Sequence, residues 1–326
     1  MLELVNQSPC GSLYQMDHPG KLRVYLASTP ETRAICNDPQ VAGIQYTRNL
    51  AAGCKEVFKL KSFDLKEDET IVVNILRGGL NFGLRYVLAD AFNWNNHQSS
   101  FISAQRVRRE EDPELWDITE NSYRKLTSPK VTSLVLGDVV ATGSSMKFAL
   151  RVLLNYAITA NVTFKSMVFF TYGGKKAIEL LEQFDKECRK LFPEYEYTNL
   201  IYLEGCFTVP TPETPLKIRL TGTDLVRFHS IMTPDFIESQ YEDPAYPLER
   251  CIIYDAGSRA FSIHEYLDDV ISYWEQNCRL AKRGYTFRQL LHERFPELDE
   301  NRFDKDIDLL TLAQRQVARI QKIKNK

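Results

Sequence analysis

No eighteen consecutive residues of this sequence are apolar, so a membrane-spanning helix is not expected. The seven cysteines form no C-x-x-C pair and their number is odd, which excludes a disulfide framework and zinc-ligand spacing and suits a reducing cytoplasm. Positive charge is in no surplus either: 41 Lys and Arg stand against 43 Asp and Glu, for a net charge of −2. A general nucleic-acid binder or a basic membrane-surface protein needs such a surplus, so any anion site must be local. The first twenty residues, MLELVNQSPCGSLYQMDHPG, lack a basic start followed by a long apolar run, and a secretory signal is not expected. Internal repeats, low-complexity blocks and a Gly/Pro-rich linker are missing as well. Histidines are few, and His229 and His264 are isolated, which fits surface or helix-start roles better than metal ligation.

What is present is a globular composition: 326 residues, 44% hydrophobic, enough for one large core or two modest ones. Residues 42–61 carry Ile44, Leu50, Ala51, Cys54, Val57, Phe58 and Leu60 at helical spacing. TIVVNIL, residues 70–76, reads as a buried strand that turns at Arg77-Gly78-Gly79 into a helix, LNFGLRYVLADAF. Strands are also predicted at SSFISAQRV, VTSLVLGD, FKSMVFFTY and NLIYLEGCFTV, with helices from about Ser144 to Tyr156 and over KKAIELLEQFDKECRKLF. This alternation predicts an α/β fold, a mostly parallel twisted sheet with helices on both faces. Residues 106–130 are polar, charged and bracketed by prolines, and read as a long exposed loop or hairpin of the kind that is more often functional than not. Trp116 and Tyr123 within it either stack over a ligand or pin the segment to the body. From Ser262 onward two charged amphipathic stretches predict a helical C-terminal appendage.

Ligands of parallel sheets sit beyond the carboxyl ends of the strands. Three such ends carry unusual residues here: Arg77-Gly78-Gly79, the Asp138 to Ser145 loop, and Tyr172-Gly173-Gly174. In GDVVATGSSM a strand delivers Asp138, two apolar residues anchor the loop, and Thr142-Gly143-Ser144-Ser145 precede a helix. Backbone N–H groups at a helix N-terminus, a glycine that permits close approach and three hydroxyls suit a phosphate; the carboxylate suits vicinal sugar hydroxyls or a metal ion better. Read alone, T-G-S-S is equally a tight turn with an N-cap. A Walker loop is excluded because no lysine follows the glycine at the required spacing, and a dinucleotide fingerprint because its three glycines are missing.

These residues resemble the type I phosphoribosyltransferases, and among them uracil phosphoribosyltransferase. Three motifs occur in order: LRGGL at 76–80 beside the family's LRAGL, VRREE at 107–111 beside YRNEE, and ATGSS at 141–145 beside ATGGS. The resemblance covers roughly residues 42–209. It implies that Arg77, Gly78, Gly79 and Arg108 hold pyrophosphate, that Thr142, Gly143, Ser144 and Ser145 hold the 5-phosphate of phosphoribosyl pyrophosphate with Ala141 in the same binding loop, and that Asp138 holds the ribose hydroxyls; Asp138, Arg77 and Arg108 are the catalytic candidates. Enzymes for 6-oxopurines carry an aspartate at the position of Ala141, so the alanine argues against that subclass. A further segment, CIIYDAGSRAFS, is similar to the family's pyrimidine-recognition segment but lacks its preceding P-G-L-G; Ile253, Tyr254, Asp255 and Gly257 either line a base pocket or form a simple turn. The family places an acid where Gly137 stands, and that departure leaves two expectations open.

The first is a cytoplasmic phosphoribosyltransferase that moves ribose 5-phosphate to a pyrimidine or related nitrogenous base, with Mg2+ carried on the substrate. The second is a non-catalytic protein that binds phosphoribosyl pyrophosphate or a nucleotide. A structural subunit with a vestigial pocket is a third, weaker reading. Either active reading implies a small-molecule ligand, neither nucleic acid nor membrane as partner, and by resemblance a homo-oligomer. The expected organisation is an N-terminal arm (1–41), the main domain (42–262, with an insertion at about 210–250) and a helical extension (263–326).

Overall fold

The structure, a computed structural model, describes residues 1–108, 116–120, 123–219, 224–250 and 256–325, with the backbone alone for 105–108, 116–120 and 256. The strands are β1 (Leu2–Ser8), β2 (Gly11–Met16), β3 (Arg23–Ser28), β4 (Thr70–Leu76), β5 (Gln98–Ser103), β6 (Gln105–Arg108), β7 (Trp116–Glu120), β8 (Arg124–Lys125), β9 (Val131–Gly137), β10 (Thr163–Gly173), β11 (Tyr197–Thr208) and β12 (Val226–Met232). The helices are α1 (Pro30–Asn37), α2 (Ile44–Leu60), α3 (Leu84–Phe92), α4 (Ser144–Ala160), α5 (Lys176–Leu191), α6 (Pro234–Ser239), α7 (Ala256–Phe261), α8 (Ile263–Lys282), α9 (Phe287–Arg294) and α10 (Leu309–Lys324).

Ten strands form one sheet in the order β1-β2-β3-β11-β10-β9-β4-β5-β8, with β12 antiparallel on β11. From β3 to β5 every neighbouring pair is parallel, so the expected α/β architecture is what the chain adopts. Alternation along the strands sends side chains to two cores. Leu134 and Leu136 of β9 join Met167, Phe169, Leu153 and Leu181 beneath α4 and α5. Val135 joins Val168, Phe170, Phe58, Phe82 and Leu88 on the other face, against α2 and α3.

The helices expected from Ser262 onward are present as α8, α9 and α10. Trp274, Leu290 and Leu312 share the second of these clusters with Phe170 and Ile201 of the sheet, so they bury the same face as α2. The first 41 residues, expected as an arm, contain β1, β2 and β3, which extend the sheet at one edge. The insertion supplies β12 and α6. The polar 106–130 segment contains an antiparallel hairpin of β6 and β7 with Arg108 opposite Trp116.

The helix expected over LNFGLRYVLADAF is interrupted. Gly78–Phe82 form a 3-10 turn, and Gly83 adopts φ +58° before α3 begins. A left-handed residue costs glycine little, so the chain can change direction there without strain.

Candidate functional site

Adjacent parallel strands β4 and β9 deliver their C-terminal ends side by side. β4 stops at Leu76, whose peptide bond to Arg77 is cis, and the Arg77 carbonyl then accepts from the Leu80 N–H at 3.1 Å as the 3-10 turn winds up. A Cβ on Gly78 would lie 3.1 Å from Asp138 Oδ1, and one on Gly79 would lie 3.1 Å from the Gly137 carbonyl oxygen. The two glycines therefore let the Arg77 turn rest directly on the Gly137–Asp138 turn. Motifs separated by some sixty residues become one surface.

The third strand end braces this surface. Asp138 N–H donates to the Phe170 carbonyl at 3.1 Å, Val140 N–H to Tyr172 at 2.9 Å, and Gly174 N–H to Val140 at 3.1 Å. Side chains at Gly173 or Gly174 would meet the Val140 or Phe207 carbonyl at 2.7 and 2.8 Å. Tyr172-Gly173-Gly174 is thus a backbone clamp that fixes where Asp138 leaves the sheet. The half-buried Asp138 carboxylate accepts from the Val139 N–H at 2.9 Å.

Gly143, with φ +76°, is the N-cap of α4, a conformation that favours glycine; a Cβ there would lie 2.6 Å from Leu180 Cδ1 and make that side chain shift. Among the described residues, no side-chain hydrogen bond caps the α4 N-terminus. Its first-turn N–H groups and the positive end of its dipole are therefore available to an anion. Thr142 Oγ1 and Ser144 Oγ lie 3.4 Å apart beside them. Ser145 differs: its hydroxyl donates to the Ala104 carbonyl at 3.2 Å and ties the loop to the chain following β5. Ala141 is buried in the core, which is a packing role.

Gly137 now has a physical account. It follows Val135 on the α2 and α3 face of β9, where Phe82 of the 3-10 turn sits. A Cβ at 137 would stand 2.5 Å from Phe82 Cγ and 2.6 Å from Cδ1. No acid can occupy that position while the ring is there. Asp138 is the carboxylate of the pair position, and among the described residues no group of three or more His, Cys, Asp or Glu could hold a metal ion. This donor set fits magnesium only in the manner usual for that ion, through one carboxylate, water and the oxygens of a bound phosphate.

Arg108 ends β6, and its side chain lies outside the described residues, as do Ile253, Tyr254 and Asp255. Gly257 is described, half-buried in α7. The remainder of α7 reaches the site by a route that motif matching misses. Arg259 is 2% exposed, with Nε donating to the Val41 carbonyl at 2.7 Å and a terminal nitrogen to Asp38 at 2.9 Å. Its guanidinium also lies over the Tyr46 and Tyr266 rings, at 5.4 and 5.2 Å. So anchored, α7 holds Phe261 beside Arg77, whose guanidinium carbon is 5.3 Å from the ring centroid.

Phe82, Tyr46 and Asn81 were not singled out by the sequence, and Phe261 was legible only as a retained letter of CIIYDAGSRAFS. Tyr46 is fully buried with no hydrogen-bond partner for its hydroxyl among the described residues; burial pushes its pKa up against the pull of Arg259, and Asp138 pushes the same way as burial, so it remains a neutral phenol. Asn81 Oδ1 accepts from Thr47 Oγ1 at 3.1 Å while its buried Nδ2 has no partner among the described residues. Asn81 lies within LRGGLN, and that placement was its one signal.

The sequence matches no family model and no curated protein. Among solved structures, this chain is similar to adenine phosphoribosyl transferase from Trypanosoma brucei in complex with AMP, pyrophosphate and ribose-5-phosphate, at 12% identity and TM-score 0.33, covering 55% of this chain and 83% of that one. It is also similar to a hypoxanthine-guanine phosphoribosyltransferase from Bacillus anthracis (17% identity, TM-score 0.26, 39% and 69% covered). The Leishmania donovani hypoxanthine-guanine enzyme gives 13% identity and TM-score 0.26, with 60% and 95% covered.

Proposed function

We propose that the protein is a phosphoribosyltransferase, transferring ribose 5-phosphate from phosphoribosyl pyrophosphate to a nitrogenous base, with a pyrimidine or related ring as acceptor. The observation that carries this reading is the direct contact between the Arg77-Gly78-Gly79 turn and Asp138, next to the uncapped α4 N-terminus. Pyrophosphate, ribose and 5-phosphate need three adjacent subsites, and these elements would supply them in that order. The open N–H groups of Ser144 and its neighbours, with the hydroxyls of Thr142 and Ser144, would hold the 5-phosphate. Asp138 would accept hydrogen bonds from the ribose hydroxyls. Arg77, with the backbone of Gly78 and Gly79, would take the pyrophosphate, and Arg108 belongs to the same proposal.

In the transfer, a ring nitrogen forms a bond to C1 of the ribose as the C1–O bond to pyrophosphate breaks, the leaving group departs with the electron pair, and the nitrogen's proton passes to solvent or to the leaving group. The transition state has oxocarbenium character, so positioning and stabilisation of the departing charge matter more than a strong base. An arginine at the pyrophosphate subsite serves that purpose through charge-assisted hydrogen bonds. Magnesium carried on the pyrophosphate would neutralise part of its charge, with Asp138 as the protein carboxylate that would help hold it. The cysteine pattern supports a proposed cytoplasmic location, and the family resemblance a proposed homo-oligomer.

Gly137 favours a second reading, in which the site binds phosphoribosyl pyrophosphate or a nucleotide without turnover. Calorimetry with magnesium and phosphoribosyl pyrophosphate, followed by an assay of pyrophosphate release across a panel of bases, separates the two. Acceptor-dependent release supports the transferase; binding without release under any base supports the sensor.

A further inference from the structure

Arg77 is exposed at the end of β4, on a turn held in place by its neighbours rather than by its own side chain. A long cationic side chain in that setting loses rotamer freedom whenever it must hold a ligand. Phe261 addresses this cost. Its ring, 47% exposed and so not committed to the core, stands 5.3 Å from the Arg77 guanidinium carbon. Cations are attracted to aromatic faces at that range through the ring quadrupole.

The helix that carries the ring is tied down at several points. α7 is only six residues long, yet its position is set from three sides. Arg259 donates to the carbonyls of Val41 and Asp38 and lies over two tyrosine rings; the Gly43 N–H donates to the Arg259 carbonyl at 2.8 Å; and the Ser262 N–H donates to Ser258 at 2.9 Å, leading into α8. On the opposite side, Thr47 of α2 holds Asn81 and Phe82 packs on Gly137, which fixes the turn bearing Arg77. Two hydrogen-bonded segments from distant parts of the chain therefore meet at the Arg77 guanidinium and the Phe261 ring.

We infer that Phe261 is a positioning residue for Arg77: its ring holds the guanidinium in the orientation that receives pyrophosphate, and it does so from the segment that also carries Gly257. This rests on the pyrophosphate role proposed for Arg77. It makes α8 part of the site's organisation, because α7 leads through the non-helical Ser262 directly into α8.

The test is calorimetric titration of the full-length protein with magnesium pyrophosphate, for wild type, Phe261→Leu, Phe261→Trp, Arg77→Ala and the Arg77→Ala/Phe261→Leu pair. Leucine keeps apolar bulk without a π face, and tryptophan keeps the face. An exposed cation–π contact corresponds to about a two- to five-fold change in affinity. Phe261→Leu should weaken binding by that factor, Phe261→Trp should restore it, and the leucine substitution should cost nothing further once Arg77 is alanine. If Phe261→Leu binds as wild type while Arg77→Ala loses binding, the positioning role is wrong and the proposed site stands. A loss shared by leucine and tryptophan, or one that persists in the Arg77→Ala background, marks a purely structural ring and likewise overturns it. Unchanged binding in Arg77→Ala overturns both.

Discussion

The Phe82 ring occupies the space that a side chain at Gly137 would need, with its Cγ 2.5 Å from where a Cβ would stand. Gly137 is therefore a packing requirement of this fold and not simply a lost acid. The two residues are coupled across the junction of β9 with the turn that follows β4. Gly137→Ala should destabilise the protein by about 1–3 kcal/mol through overpacking. Phe82→Ala alone should cost about 3–5 kcal/mol by leaving a cavity. Combined, they should cost less than the sum, by roughly 0.5–3 kcal/mol of coupling. Urea denaturation of the four proteins checks this, and strict additivity would contradict the account.

Gly143 carries a second such requirement. Alanine there must adopt φ +76° and meet Leu180. Gly143→Ala should lower stability by about 1–3 kcal/mol and also weaken binding of inorganic phosphate, since the α4 N-terminus must shift. Calorimetry beside a melting curve separates the two effects. Ser145→Ala, in contrast, removes a tether to Ala104 and should perturb phosphate binding less than Ser144→Ala.

Glu204 provides a pH signature away from the site. It is fully buried within β11, with its carboxylate accepting from the Thr32 and Thr233 hydroxyls and from the Thr29 N–H, and so joins the starts of α1 and α6. Burial pushes its pKa up from 4.5 to about 7, against the pull of those hydrogen bonds. A raised folded-state pKa favours the protonated carboxyl, so the folded protein binds more protons than the unfolded one between these values. This contribution is present in full below about 4.5 and is lost as pH rises through about 7, an effect on the order of 3 kcal/mol. The stability of Glu204→Gln relative to wild type should therefore rise between pH 5 and pH 8. An equal difference at both pH values would contradict the shift.

Much of the site could be read from the sequence because its chemistry is local. TIVVNIL ends where the strand ends, and GDVVATGSSM contains its strand, glycine N-cap and hydroxyls in one stretch. What escaped the sequence depends on partners far along the chain. Nothing near Gly137 announces Phe82, and nothing near Arg77 announces Phe261. Arg259 was legible only as a motif letter, although its chemistry is that of a buried guanidinium with backbone carbonyls for partners. β1 gave no strand signal because it lies at the sheet edge with both faces largely exposed, so its side chains do not alternate. The interruption at Gly83 was hidden because LNFGLRYVLADAF keeps helical spacing through it.

The central claim is that the surface formed by Arg77, Asp138 and the α4 N-terminus transfers a phosphoribosyl group. Its most direct measurement is pyrophosphate release from phosphoribosyl pyrophosphate and magnesium across a panel of pyrimidine and related bases, for wild type, Asp138→Asn and Arg77→Ala. The account predicts release that depends on one acceptor and falls at least about a hundred-fold in each folded variant, in the range typical of losing a transition-state contact. Acceptor-dependent release at the wild-type rate in both variants, or no release by wild type with any base, would contradict it.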